Sequence, residues 1–267
     1  MPESEMATAS RMLAQGVQEK GVEVRTFMPK YGFINERRNQ LHEVIRLSGM
    51  NLIIDDTDHP LVIKVATLQP ARLQVYFIYN EDYFIPPTPS GEAYDTVKRE
   101  RVKDLEINTH VDDNDERSIF YVRGVLETVK KLRWIPDIIH CQGWMSAVVP
   151  LYIKTAYHDE PSFANTKVVT SIFGHKLTSE LNEDFKRSIE FRDAKREMLN
   201  KYNEKFDFPE LAKLAIDYSD GIVEAVDNVN PELMAYAEAG GKKLLRHADI
   251  GNLGDSLDQF YDLVMES

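Results

Sequence analysis

The chain has 267 residues, 43% hydrophobic and 28% charged, which is enough apolar material for one large domain with a sizeable core. Lys and Arg number 32 against 44 Asp and Glu, a formal net charge of −12. That balance argues against nucleic acid and anionic membrane as partners, because phosphate contacts need clustered Lys and Arg, and it leaves a neutral polymer such as a polysaccharide open.

Met6, Ala9, Leu13 and Val17 recur at helical spacing before Gly21, a stop signal. Val22 to Met28 reads as a strand ending at Pro29, and further strands are expected at Asn51–Ile54, Leu61–Ala66 and Arg72–Ile78. The cluster IPPTPSG, about residues 85 to 91, is a loop. The run VDDNDER opens a helix carrying Ile119, Phe120, Val122, Val125, Leu126 and Val129. Its acids at 112–116 suggest a calcium loop but lack the Gly needed at the sixth position, so the expected role is an N-cap with an acidic first turn. Asp137–Cys141 is a strand, 145–157 a helix, Lys167–Phe173 a strand, and a charged helix is expected from about 183 to 205. A helix at Glu210–Tyr218, a strand at Gly221–Val226, and helices at Pro231–Ala239 and about Leu257–Met265 complete the chain.

Strands alternating with helices imply βαβ units and a parallel sheet in one α/β domain over 1–267. The chain opens on a helix, whereas doubly wound folds feed their first helix from a central strand. That first strand is expected to be missing, which would expose ladder groups on its two neighbours. The single cysteine, Cys141, allows no internal disulfide. No apolar run approaches the roughly 20 residues of a membrane helix, and the polar start MPESEMATAS is unlike a signal peptide, so the expected location is the cytoplasm. The basic pairs Arg37–Arg38 and Lys130–Lys131 read as solvated faces.

Four stretches in order resemble the bacterial glycogen and starch synthase family: SEMATASRMLAQGVQEKGVEVRTFMPKYG, LQVYFIYNEDYF, DNDERSIFYVRGVLE and WIPDIIHCQGWMSAVVPLYIK. The last is similar to the family pattern W-x-P-D-V-V-H-x-H-D-W-H-x-x-L-x-P-x-Y. The resemblance implies a Rossmann-like parallel sheet flanked by helices, the N-terminal half of a two-domain GT-B glycosyltransferase, with the C-terminal nucleotide-binding domain absent. It also implies transfer of glucose from ADP-glucose to an α-1,4-glucan.

The positions that carry that chemistry in the family are replaced. Its phosphate loop, K-T-G-G-L-A-D, is Pro2, Glu3, Ser4, Glu5, Met6, Ala7 and Thr8 here, so Ser4 reads as an N-cap and the glutamates would repel a diphosphate. The motif H-x-H-D-W-H becomes His140, Cys141, Gln142, Gly143, Trp144 and Met145, and T-I-H-N becomes Thr170, Ser171, Ile172 and Phe173. Trp144, His140, Gln142 and, by a looser alignment, Tyr94 remain as substrate-binding candidates. No catalytic residue, cofactor or metal site is assigned. His140 and Cys141 do not form a nucleophile–base pair, since successive strand residues face opposite sides of a sheet. Three readings stay open: an active ADP-glucose-dependent transferase, for which a separate partner chain must supply the nucleotide pocket; a non-catalytic glucan-binding or regulatory relative; and an interaction module with no carbohydrate role, a homo-oligomer that covers the open sheet and cleft face. Little or no transfer is expected from this chain alone.

Overall fold

The computed structural model describes residues 5–32, 34–84, 113–174 and 180–266. Among them nine strands form two sheets. Strands β1 (Arg25–Pro29), β2 (His42–Glu43), β3 (Met50–Ile54), β4 (Thr57–Leu68) and β5 (Leu73–Tyr79) make a mixed sheet in the order β1-β5-β4-β2, with β3 on β4. Here β1 runs parallel to β5, while β4 is antiparallel to β5 and β3. Strands β6 (Ile138–Gln142), β7 (Lys167–Ile172), β8 (Gly221–Glu224) and β9 (Lys243–Leu245) form a wholly parallel sheet in chain order.

Helices cover both faces of the parallel sheet, as short parallel strands require. On one face lie α1 (Glu5–Glu19) and α6 (Leu253–Met265), which cross where a Cβ on Gly16 would sit 3.0 Å from Gly254 Cα. There Val17, Val169, Val223, Leu257, Phe260 and Val264 form one apolar cluster. On the opposite face lie α2 (Asn114–Lys131), α3 (Val149–Lys154) and α4 (Phe208–Tyr218). Ile119, Phe120, Val122, Leu126 and Val129 of α2 are buried in the main core with Leu61, Ile78, Leu151, Tyr152 and Val168. Helix α5 (Pro231–Ala239) is capped by the Asn230 side chain, which accepts from Glu232 N.

The expected α/β class holds, and so do most of the elements. Three expectations change. The helix predicted over 145–157 begins as a 3-10 turn, Trp144–Ser146, and becomes α-helical only in α3. Pro150 has no N–H to donate to the Ser146 carbonyl, so a continuous helix cannot form there. The charged helix predicted from about 183 to 205 is replaced by a single turn at Phe185–Ser188, a bridge between Phe191 and Ala194, and a 3-10 turn at Arg196–Leu199. Leu181 N donates to Phe206 O at 2.8 Å, and the Phe185 and Phe206 rings lie 4.9 Å apart. A straight helix would hold those two rings about 30 Å apart. Finally, Asp113 makes no side-chain cap on α2, because its carboxylate pairs with Arg117 at 2.8 Å. The predicted loop at 85 to 91 and the N-cap Ser4 lie outside the described residues.

Candidate functional site

In open parallel sheets, ligands bind in the crevice outside the carboxyl ends of the strands. Here that crevice lies beyond Gln142 of β6, Ile172 of β7 and Glu224 of β8. Three of the four candidate residues come from β6 and the turn after it.

Gln142 ends β6, and its Oε1 accepts from Ser10 Oγ at 2.5 Å, tying it to α1. Gly143 follows with φ 77° and ψ 162°, a backbone region that is essentially glycine-only. A Cβ at this position would meet Met6 Sδ at 2.8 Å, so the first turns of α1 lie directly over the glycine. Ser146 Oγ donates back to the Gln142 and Gly143 carbonyls at 3.0 and 2.9 Å, which holds the turn shut. Trp144 is partly buried and packs against the main core. Tyr94 lies outside the described residues.

His140 points to the α1–α6 face. Its Nδ1 is 2.6 Å from the Tyr261 hydroxyl and its Nε2 2.7 Å from Ser171 Oγ, so both ring nitrogens are engaged. Cys141 points to the other face, inside the main core, where burial pushes its thiol up to about 12. The two side chains therefore serve separate layers.

Burial pushes the His140 imidazole down to about 3. A histidine whose folded value is depressed adds stability above its unfolded value of about 6.5, and that stability drains away as pH falls toward the folded value, by about 1.4 kcal/mol per unit. Urea unfolding at pH 7.5 and 5.5 is expected to show a loss about 1.4 kcal/mol larger for the parent than for His140→Gln. Equal losses would mean that the ring protonates freely inside the fold.

Beyond β7 the crevice is apolar. Ile172 and Phe173 are each 4% exposed and pack with Val226, Val229, Leu233 and Met234, with Met6 and Ala9 of α1 against them. The Asn228 side chain fills the space beside Gly174. Met6 is thus shared between the turn at Gly143 and the apolar corner at Ile172 and Phe173. Reading the sequence missed this role, and the only trace of it was the place of Met6 in the apolar stripe of α1. A second polar group escaped notice on α2. The Tyr83 hydroxyl donates to Glu116 Oε2 at 2.9 Å and lies 2.9 Å from His59 Nε2, and burial pushes the neighbouring Asp115 up to about 6. Among the described residues no group of three or more His, Cys, Asp or Glu could hold a metal ion, and no helix is long and apolar enough to cross a membrane.

Residues 2–247 match the family described as starch synthase catalytic domain. A glycogen synthase from Chlorobium luteolum is 38% identical over 170 residues, which is 63% of this chain and 32% of that protein. One from Chlorobium chlorochromatii is 40% identical over 158 residues, 59% of this chain and 30% of its own length. The chain spans about a third of the length of these curated relatives. A solved structure, the catalytic domain of Starch Synthase IV from Arabidopsis thaliana bound to ADP and acarbose, superposes with a TM-score of 0.65 at 17% identity. That match covers 91% of this chain and 48% of the other, and it speaks to the fold.

Proposed function

The chain belongs to the starch synthase catalytic domain family, and from that premise we propose that it is a cytoplasmic protein of α-1,4-glucan biosynthesis that does not by itself transfer glucose. One observation carries this reading. The corner at the carboxyl ends of β6 and β7, where the family resemblance puts the polar groups around the reacting sugar, is filled by Met6, Ile172 and Phe173. A developing oxocarbenium or phosphate charge needs preorganised dipoles and charges, and thioether, alkyl and phenyl groups supply none. Gln142 and His140, the polar candidates on β6, already bond to Ser10, Ser171 and Tyr261. In the sequence, Glu3 and Glu5 align with the family loop that holds a diphosphate, and carboxylates at those positions oppose one.

The test is transfer of labelled glucose from ADP-glucose onto glycogen by the purified chain, with folding confirmed by circular dichroism. No primer-dependent incorporation is expected above a no-protein control. Clear incorporation that disappears without primer would overturn the reading and direct mutagenesis to Trp144, His140 and Gln142.

A further inference from the structure

Successive residues of a strand face opposite sides of its sheet. In the mixed sheet Leu61, Ile63 and Ile78 lie in the main core with α2, while Ala66, Val75 and Phe77 pack under Ile34 and Leu41 of the segment 34–41. Beside that small apolar cluster stands a charged one. Lys64 of β4 and Lys30, the residue after β1, both donate to a single oxygen, Glu36 Oε1, at 2.6 and 2.8 Å. Both ammonium groups also lie over the Tyr79 ring at the end of β5, 5.2 and 4.5 Å from its centroid. The cations are the inner members of the group. Lys30 is 6% exposed and its backbone N–H donates to Ile78 O at 2.8 Å, so the sheet itself fixes its place. The Lys64 side chain is 15% exposed and that of Glu36 is 41% exposed.

Two cations against one carboxylate leave an excess positive charge that is largely out of water. Each ammonium group has three donors, and among the described residues the two share one acceptor oxygen. The ring face attracts both but carries no net charge. Glu81, whose charge also reaches Tyr79, is exposed and pairs with neither lysine. Arg37 and Arg38 follow Glu36 on the exposed turn and form no ion pair among the described residues, so they add to the positive side. Buried charges are costly unless each is paired and hydrogen-bonded, and here one is not.

Glu36 is the detachable member. Its turn is held by Leu41 N on Glu36 O at 2.9 Å, by Asn39 N on Asn35 O at 3.1 Å and by Arg38 N on Asn35 Oδ1 at 2.8 Å, none of which uses the carboxylate. The carboxylate is therefore free to swing into water while the turn and both lysines stay in place. Hydrogen bonds from Lys30 and Lys64 hold the Glu36 carboxyl below the usual carboxylate range, so it remains an ionised occupant throughout neutral pH.

We propose that Lys30 and Lys64, over the Tyr79 ring, form a binding site for a phosphate-type dianion, either inorganic phosphate or the phosphoryl end of a monoester, which displaces the Glu36 carboxylate. A dianion neutralises both cations, and its separate oxygens give each lysine its own charge-assisted acceptor. A monoanion only repeats what Glu36 already does. None of these residues belongs to the corner at β6 and β7, so the site does not depend on whether glucose is transferred.

Calorimetric titration at pH 7.5 compares inorganic phosphate, methyl phosphate, which is a dianion at that pH, and acetate, all at matched ionic strength. Circular dichroism confirms that each variant is folded. The parent chain is expected to bind one phosphate with a Kd of about 1 mM, and acetate about tenfold more weakly or less. Glu36→Gln removes the internal occupant and keeps both lysines, so it should bind phosphate about tenfold more tightly. If the three groups only tied the turn down, that variant would lose stability and gain no affinity. Lys64→Met keeps the stem and removes the charge, and should weaken binding by about tenfold, whereas Lys20→Met, beyond the end of α1, should leave it unchanged. Tighter binding of inorganic phosphate than of methyl phosphate assigns the free ion, and equal or tighter binding of the ester assigns the phosphoryl end of a larger molecule. The proposal is overturned if Glu36→Gln binds no phosphate or binds it as the parent does, if Lys64→Met binds it undiminished, or if acetate binds as well as phosphate.

Discussion

Gly143→Asp, which places the family's carboxylate back in the turn after β6, is expected to lower stability by about 1–3 kcal/mol and to restore no glucosyl transfer. The backbone there has φ 77° and ψ 162°, which a residue with a Cβ adopts only at a cost. The side chain would also enter the space held by Met6 Sδ. The first effect is common to any residue with a Cβ, so Gly143→Ala should destabilise nearly as much as Gly143→Asp. The second belongs to Met6, so a Met6→Ala background should recover part of the loss, a coupling of about 0.5–3 kcal/mol. Urea unfolding of the four variants measures both. A Gly143→Asp protein as stable as the parent would show that the turn is free to take the family conformation, and the argument for a closed corner would then fail.

Much of the fold was legible in the residues because local and global signals agreed. The stripe Met6, Ala9, Leu13, Val17 with Gly21 gave α1, whose end is marked by φ 87° at Gly21. The Pro231–Ala239 helix appeared with its predicted bounds. The long charged helix failed because its apolar residues answer to a distant core. Phe185 and Phe206 must meet, and the chain folds back to let them. No helical period encodes that return. Strands β2 and β9, of two and three residues, are too short to carry an alternation. The alternation of strands and helices pointed to a parallel sheet but not to its antiparallel companion: β4 pairs with β5 and β3 in a mixed sheet, and among the described residues β1 and β6 are each bonded on one side only. At the site, the identity of each replaced residue was readable, but not its consequence. That Gly143 is roofed by Met6, and that His140 is bonded to Tyr261 across 121 residues of sequence, are contacts between distant segments with no local signature.

The largest effects are expected at the apolar corner itself. Ile172→His and Phe173→Asn return the polar pair that the family resemblance places there, and each should cost about 3–5 kcal/mol. Both positions are 4% exposed and embedded among Val226, Val229, Leu233 and Met234, so Phe173→Asn opens a cavity, Ile172→His forces a larger ring into a filled space, and each sets a polar group among apolar side chains. Ile172→His adds a pH signature. A buried imidazole is held neutral, so its folded value falls, and the deficit should deepen as pH drops below about 6.5. Phe173→Asn has no ionisable group and should give a deficit independent of pH. Thermal unfolding at pH 8 and pH 5.5 separates the two. If either variant matched the parent in stability, the corner would be an open cleft that tolerates polar groups, and the case against transfer would rest on the charges at the start of α1 alone. If both fall as expected, the same residues that complete the cluster under α1 are the ones that exclude a sugar. Met6 then links the two outcomes: it packs on Gly143 and on the Ile172 cluster together, so the polar groups cannot be restored one at a time without first moving the helix that covers them.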